Sequence, residues 1–363
     1  MEADSLHQRF HIDLPLVLGL VVLSGLGLLV IYSAGGQDQN LLVRQGIRLG
    51  IAFIVMLVLA QLTPRQYLIW TPWLYVATLA LLVLVLFVGQ EGKGAQRWIS
   101  LGGFNFQPSE IAKITVPMMV AYYLSDYPLP PPIKRVLVCA ALIVLPTLLI
   151  ARQPDLGTSV LIACSGLFVL YMAGIRWRVI VLGLVLIAAA APVVWALMHG
   201  YQRQRVVTFL DPERDPLGAG YHIIQSKIAI GSGGVYGKGW LNGTQSQLDF
   251  LPERSTDFIF AVYSEEFGLI GVLVLLVLYV FVIARGLVLA WGSQELFGRL
   301  LSVSFVLTFF VYVFVNVGMV SGLLPVVGIP LPLVSYGGTS LVTVMAAFGI
   351  LMSMHSHRRL LSD

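Results

Sequence analysis

The sequence predicts an all-α polytopic membrane protein with about ten transmembrane helices, and three observations support this fold class. Only 11% of the 363 residues are charged, whereas average soluble domains carry about 25%. Hydrophobic residues make up 58%, which leaves too little polar surface to cover a soluble core. The apolar residues also form runs close to the roughly 20 residues that a spanning helix needs. This composition excludes an ordinary cytosolic enzyme, a disordered chain and a nucleic-acid-binding protein.

Ten apolar runs are predicted to cross the membrane. In chain order they are Leu14–Ala34, Gly46–Leu62, Leu68–Val88, Ile111–Leu124, Val136–Ile150, Gly157–Ala173, Val179–Met198, Phe258–Ala284, Leu300–Gly322 and Tyr336–Ser353. The fourth and fifth runs are short and contain Pro117 and Pro146. The first run is too long for a cleaved signal peptide and lacks a suitably placed small-residue cleavage site, so it is predicted to be a span.

An even number of spans places both termini on one side, and the basic residues indicate which side. With cytoplasmic termini, the inner segments hold ten Lys and Arg residues and the short outer segments hold five. Basic residues are enriched in cytoplasmic loops, so both termini are predicted to be cytoplasmic.

The whole chain, 1–363, is predicted to form a single transmembrane domain that includes one long extracytoplasmic loop, 199–257, between spans seven and eight. Six basic and six acidic side chains balance in this loop, which is rich in glycine. Connections of this length are usually functional or disordered, and the aromatic residues and balanced charge of this one argue against disorder.

No metal site is predicted. Cys139 and Cys164 lie within apolar runs, which excludes a disulfide framework and disfavours a metal cluster. The stretch 231–239 resembles a phosphate-binding loop but has Gly239 where Ser or Thr must hold Mg²⁺.

Ionisable residues at membrane depth are functional candidates. Glu110 and Lys113 are three residues apart, so they share one face of a helix. Two interpretations have equal weight. The residues either form a structural ion pair in which the charges neutralise each other, or form a binding site in which the remaining N–H donors of Lys113 face an anion. Arg44, Arg48 and Arg97 lie on short outer segments, where basic residues are disfavoured. Each one alone is explained by a side chain that extends to the membrane interface. As a group, however, they indicate an anionic ligand at the outer surface.

Two aspartates precede apolar helices. Asp155, before span six, suits a helix N-cap. Asp257 suits the same role, but it closes the long polar loop and would lie at the water–membrane boundary. A general base that acts on a lipid-linked substrate must be placed there.

Five motifs occur together, in order, along the chain. They are Gly94-Ala-Gln-Arg-Trp98, Phe106-Gln-Pro-Ser-Glu-Ile-Ala-Lys113, Gln153-Pro-Asp-Leu-Gly-Thr158, Phe250-Leu-Pro-Glu-Arg254 with Thr256-Asp257, and Pro332-Leu-Val-Ser-Tyr-Gly-Gly338. In this combination the chain resembles the SEDS family (shape, elongation, division and sporulation) over nearly its whole length. The stretch Gly322-Leu-Leu-Pro-Val-Val-Gly-Ile-Pro330 resembles the elongation branch more than the division branch.

The resemblance implies a peptidoglycan glycosyltransferase with ten spans in the bacterial inner membrane. Such enzymes polymerise lipid II into glycan strands at the outer face of that membrane, on an undecaprenyl-diphosphate carrier. The partners it implies are a class B penicillin-binding protein, which is a transpeptidase, and the elongation machinery. The position that matches the essential carboxylate of the family is Asp257, and those that match polar cavity residues are Arg97, Glu110, Lys113, Asp155 and Arg205.

A mechanism follows as a hypothesis. Asp257 removes the proton of the acceptor sugar hydroxyl, and the anomeric carbon inverts. Arg44, Arg48, Arg97, Lys113 and Arg205 are the candidates that stabilise the leaving diphosphate. No cofactor is firmly implied, although a divalent cation, Mg²⁺ or Mn²⁺, is compatible with a diphosphate leaving group.

Three alternatives stay open at this point. A lipid II flippase would also need cations in a membrane cavity but no carboxylate at the outer interface. A scaffold that only docks a penicillin-binding protein would tolerate neutral residues at 113 and 257. A division role within the same family would differ in the cells that depletion produces.

Overall fold

The computed structural model of the chain describes residues 11–92, 95–101, 104–153, 155–197, 200, 203, 207, 219–247, 251 and 253–357. The predicted all-α fold class is confirmed, and a helix overlaps each of the ten apolar runs. The first predicted span, Leu14–Ala34, has the observed bounds. Most of the other helices start several residues before the predicted span because capping and polar residues extend a helix beyond its apolar window.

The elements are numbered here in chain order. They are α1 Leu14–Ala34, α2 Gln39–Gln61, α3 Pro64–Val88, β1 Gln90–Gly92, β2 Ala95–Leu101, β3 Phe104–Phe106, α4 Pro108–Ser125, α5 Ile133–Arg152, α6 Leu156–Met172, α7 Trp177–Leu197, α8 Ala219–Ser232, α9 Thr244–Gln247, α10 Ile259–Trp291, α11 Leu296–Val320 and α12 Thr339–Ser356.

Within the described residues, seven helices are long and apolar enough to cross a bilayer, namely α1, α2, α3, α5, α10, α11 and α12, and α6 is a shorter apolar helix. The total of ten spans stays a prediction. The loop predicted over 199–257 contains α8 and α9, and the part from 208 to 218 lies outside the described residues.

Two clusters of buried apolar side chains meet at α11. One joins α1, α2, α10 and α12 and includes Phe309 of α11. The other joins α3, α4, α5 and α6 and includes Leu301. Leu, Ile and Val side chains are exposed along the outward faces of α2, α3, α5 and α10, as expected of helices that contact lipid.

A small antiparallel sheet lies between α3 and α4. Its strands pair in the order β1-β2-β3, with Gln90 opposite Trp98 and Ile99 opposite Phe106. This sheet adds to the predicted all-helical architecture, and its strand β2 carries Arg97.

The helix α10 is broken at Gly268, which has φ +64° and ψ −163°. The segment 234–239 fills the break with backbone hydrogen bonds. Lys238 N and Gly239 N donate to the carbonyls of Glu265 and Glu266, at 3.0 and 2.9 Å. Leu269 N and Ile270 N donate to the carbonyls of residues 234 and 235, at 3.0 and 3.2 Å. The long loop is therefore joined to α10 through main-chain contacts.

Two consecutive carboxylates strengthen this junction. Glu265 is fully buried, and its Oε1 accepts hydrogen bonds from Lys238 Nζ at 2.7 Å and from Thr244 Oγ1 at 3.0 Å. Glu266 is buried beside it and accepts a hydrogen bond from Ser33 Oγ of α1. These contacts hold the part of the long loop around residues 238–244, which precedes Asp257, against α10.

We expect Gly268→Ala to lower the free energy of unfolding by about 2–3 kcal/mol, because its left-handed backbone disfavours a Cβ. A Cβ at this position would also lie 2.3 Å from Gly237 N. The midpoint of thermal unfolding in detergent measures the effect. Gly50→Ala is the matched control, since a Cβ there meets nothing within 4 Å, and equal midpoints for the two variants would contradict the prediction.

Candidate active site

Asp257 lies in the turn 253–258, immediately before α10. The N-cap position of α10 is occupied by Phe258, so the capping role considered for Asp257 is not observed. Asp257 is partly exposed, and its Oδ2 lies 3.4 Å from the place that a Cβ of Gly328 would take. The carboxylate therefore lies against the backbone of Gly328, where there is no side chain between them.

The segment 327–338, which forms the second part of the connection from α11 to α12, supports the Asp257 turn. Tyr336 N donates to Ser255 O at 2.8 Å, and Ser335 Oγ donates to Thr256 O at 2.7 Å. The guanidinium of Arg48 on α2 lies over the ring of Tyr336, 4.6 Å from its centroid. The structure thus brings one predicted cation close to the turn that carries the predicted base.

Asp155 holds a second polar group together. Its Oδ1 caps α6 by accepting from Thr158 N at 3.2 Å, which confirms the predicted capping role. Its Oδ2 accepts from Gln107 Nε2 at 3.0 Å and lies 3.7 Å from Arg97 Nη1. Arg97 Nε also donates to the carbonyl of Gln153 at 3.4 Å. Asp155 therefore both caps its helix and orients a cation.

The two groups share the segment 327–338. A Cβ on Gly157, in the first turn of α6, would lie 2.9 Å from Val327 O, so the helix that Asp155 caps packs directly on this segment. Asp257 lies against the next residue, Gly328. The carboxylates of Asp155 and Asp257 consequently belong to elements that pack on adjacent residues.

Glu110 and Lys113 form the ion pair that their spacing predicts. Lys113 Nζ lies 2.7 Å from Glu110 Oε1, and both side chains are buried. The ammonium also lies 5.2 Å from the ring centroid of Tyr312 on α11. Tyr312 packs with Leu161 and Ile329, which connects this pair to the segment 327–338.

A cleft of about 400 Å³ lies between α4, α11 and α12 beside this pair, with Lys113 and Tyr312 in its lining. A smaller space of about 280 Å³ shares Tyr312 and reaches Ser335 and Gly337. Both spaces are lined by Tyr312 and Val344, and the smaller one is also lined by residues of the segment 327–338.

The structure therefore brings together most of the predicted site residues. Asp257 and Arg48 contact the segment 327–338 directly, Asp155 caps the helix that packs on it, and Lys113 lies against Tyr312, which packs with Ile329. Arg97 and Glu110 are joined to this arrangement through Asp155 and Lys113, respectively. Arg44 is exposed one helical turn before Arg48 on α2. Arg205 lies outside the described residues, so its position stays a prediction.

Three further polar residues near these groups, His222, Tyr312 and Asn316, were not predicted from the sequence. The ring of His222 stacks on Phe258, next to Asp257, with centroids 5.7 Å apart. Burial lowers the pKa of His222, and the Glu253 carboxylate partly opposes this shift, so the imidazole is mainly neutral at pH 7. Asn316 and Tyr312 carry polar atoms within an apolar span, and the reasoning applied to Lys113 would have found them.

The described residues provide a partly exposed carboxylate, nearby cations and a cleft lined by Lys113, and such groups suit proton removal and stabilisation of an anionic leaving group. Among the described residues, no group of three or more His, Cys, Asp or Glu side chains could hold a metal ion.

Residues 8–360 match the model of the FtsW, RodA and SpoVE family, described as cell cycle proteins. Among relatives, the chain is 57% identical over 355 residues to the peptidoglycan glycosyltransferase MrdB of Escherichia coli (strain K12), covering 98% of this chain and 96% of MrdB. It is 36% identical over 360 residues to the stage V sporulation protein E of Bacillus subtilis (strain 168), covering 96% and 98%.

Two solved structures are similar. One is a chain from work on the structural coordination of polymerization and crosslinking by a peptidoglycan synthase complex, with TM-score 0.84, 34% identity and coverage of 96% of this chain and 98% of that one. The other is the rod shape determining protein RodA of Thermus thermophilus, with TM-score 0.73, 32% identity and coverage of 96% and 97%.

Proposed function

This chain belongs to the FtsW, RodA and SpoVE family of cell cycle proteins and is a peptidoglycan glycosyltransferase, and we propose that it polymerises lipid II with Asp257 as the general base. The observation that carries the role of Asp257 is its partly exposed carboxylate, placed against Gly328 on the segment that also contacts Arg48 and α6. The same segment thus links the base to the groups that receive the leaving anion.

The length of α10 supports a position for Asp257 outside the hydrocarbon. At 1.5 Å per residue, the part from Leu269 to Trp291 is about 35 Å long, which covers the roughly 30 Å hydrocarbon core. Trp291 is exposed at the far end, as is common for tryptophan at an interface. Asp257 precedes the break at Gly268 by a further nine-residue stretch of helix, so we propose that it lies on the outer side of this hydrocarbon span, where the sugar of a lipid-linked substrate is held.

In the proposed reaction, the acceptor is the 4-hydroxyl of one lipid II sugar. Asp257 takes its proton while the oxygen forms a bond to the anomeric carbon of the growing strand. The bond from that carbon to the diphosphate oxygen breaks, and undecaprenyl diphosphate leaves with the electron pair. Attack opposite the leaving group inverts the anomeric carbon from α to β.

The leaving diphosphate gains negative charge in the transition state, so fixed cations stabilise it. Arg44, Arg48, Arg97, Lys113 and Arg205 are the proposed contacts. Glu110 and Asp155 orient two of them, since Glu110 pairs with Lys113 and Asp155 lies beside Arg97. We propose that any Mg²⁺ or Mn²⁺ involved would be carried by the diphosphate itself.

The protein is a multi-pass membrane protein of the inner membrane. We propose that both termini are cytoplasmic, that residues 1–363 form one domain, and that the loop over 199–257 faces the periplasm. A similar chain occurs in a peptidoglycan synthase complex. The proposed partner is accordingly a class B penicillin-binding protein of the elongation machinery, which cross-links the strands that this chain makes.

We expect the purified protein in detergent or proteoliposomes to convert lipid II into glycan polymer without a partner, because the proposed base and cations all belong to this chain. Polymer length on gels measures the activity. Translocation of lipid II without polymer would instead support a flippase.

Depletion in cells separates the two family roles, since round cells are expected for elongation and filaments for division.

A further inference from the structure

The main chain of the Asp257 turn is held at three successive residues. The carbonyls of residues 255, 256 and 257 each accept a hydrogen bond from a residue that follows α10 in the chain. The donors are, in that order, Tyr336 N at 2.8 Å, Ser335 Oγ at 2.7 Å and Asn316 Nδ2 at 2.9 Å. Two of these donors are side chains, so substitution can remove them while the backbone stays intact.

Asn316 connects the main chain of Asp257 to the segment 327–338, against which the Asp257 carboxylate lies. It is fully buried on α11, and its Nδ2 donates to Asp257 O and also to Ile329 O, at 2.7 Å. Ile329 directly follows Gly328, against which the carboxylate lies. One amide group therefore fixes the main chain of Asp257 relative to the backbone that faces its carboxylate.

The two hydrogen bonds that Asn316 Nδ2 donates explain why an amide side chain occurs in this apolar helix. Two carbonyl oxygens within hydrogen-bond distance identify the contacting atom as the nitrogen. The other amide atom, Oδ1, is buried without a hydrogen-bond partner in the described part of the chain, which costs free energy. An apolar side chain of the same size would avoid that cost but would remove the donor from the carbonyls of Asp257 and Ile329, so these two hydrogen bonds, and not packing, favour asparagine here.

Ser335 contributes the second side-chain contact. Its hydroxyl donates to Thr256 O and accepts from Leu331 N, at 2.7 Å in both cases. The residue is buried, so water does not compete for these bonds. Ser335 thus joins the turn before Asp257 to the segment 327–338, as Asn316 does from α11.

We propose that Asn316 and Ser335 are positioning residues that hold Asp257 at the attack distance of the acceptor hydroxyl. This inference rests on the proposed role of Asp257 as the base. Displacement of a catalytic group by about 1 Å costs on the order of 10²-fold in rate, and loss of either donor frees one carbonyl of the turn. Binding of lipid II should change little, because neither side chain belongs to the proposed cation set.

The test compares Asn316→Leu with Ser304→Ala in the polymerisation assay. Asn316→Leu is expected to lower kcat by about 10- to 100-fold with KM for lipid II within about threefold of wild type. Ser304 is also fully buried on α11 and donates to Ser165 O at 2.6 Å, so Ser304→Ala removes a similar bond away from Asp257 and should keep the wild-type kcat. A wild-type kcat in Asn316→Leu, or an equal loss in Ser304→Ala, would overturn the proposal.

Two further variants complete the test. If Asn316→Leu does not fold, Ser335→Ala is tested in its place. This variant is also expected to lower kcat and leave KM for lipid II nearly unchanged, and a wild-type kcat would overturn the proposal. In an Asp257→Asn background, Asn316→Leu should cause no further loss of rate. An active Asp257→Asn enzyme would instead refute the base, so failure of the proposed function is distinguishable from failure of the positioning residues.

Discussion

Asp257→Asn is expected to fold and to insert into the membrane like the wild type, and to polymerise lipid II about 10²–10⁴-fold more slowly. The amide has nearly the same size and leaves the main-chain contacts of the turn in place, since they use the carbonyl of residue 257. It cannot accept the proton of the attacking hydroxyl. The loss should therefore appear in kcat, measured as the rate of polymer formation at saturating lipid II.

The control for charge at the same face is Asp38→Asn. Asp38 is exposed and caps α2 by accepting from Asn40 N at 2.8 Å, and asparagine is an equally good N-cap residue. This variant loses one carboxylate charge near the outer end of α2 but no proposed base, so it should polymerise at the wild-type rate. A wild-type rate in Asp257→Asn would refute the assignment, and equal losses in both variants would assign the effect to surface charge.

The helices were predictable from sequence because each long apolar run must satisfy its own backbone inside lipid. The start of α2 shows the limit of this reasoning. The predicted span begins at Gly46, whereas the helix begins at Gln39, where Asp38 supplies the cap. Hydropathy locates the part of a helix that lies in hydrocarbon, but capping sets its end, and the polar residues between the two carry Arg44 and Arg48.

Pairs that are close in sequence were predictable, but pairs that are distant were not. The spacing of Glu110 and Lys113 gave their ion pair directly, and the place of Asp155 before an apolar run gave its cap. In contrast, Asn316 lies 59 residues from Asp257, and helical periodicity carries no information about which residues of two distant elements meet. The break in α10 was likewise hidden, because the segment that fills it follows no periodic pattern.

Lys113→Met is expected to reduce the folded yield strongly, with a loss of about 3–5 kcal/mol in stability, because it leaves the buried Glu110 carboxylate without its counter-charge. The double variant Glu110→Gln with Lys113→Met removes both charges and should regain most of that stability. Thermal unfolding of the purified variants in detergent measures this coupling. Near-additive losses from the two substitutions would contradict the ion pair as a mutually dependent unit.

The double variant also separates the two interpretations of this pair. A purely structural pair would leave a stable double variant with full polymerase activity. We expect instead that the folded double variant is at least about 10-fold less active, equivalent to about 1.4 kcal/mol of transition-state stabilisation. The reason is that Lys113 lines the cleft beside Tyr312, and Glu110 satisfies one of the three donors that its ammonium carries. Because its buried partner Glu110 holds the ammonium in place, the diphosphate would meet a pre-positioned cation when the bond between it and the anomeric carbon breaks.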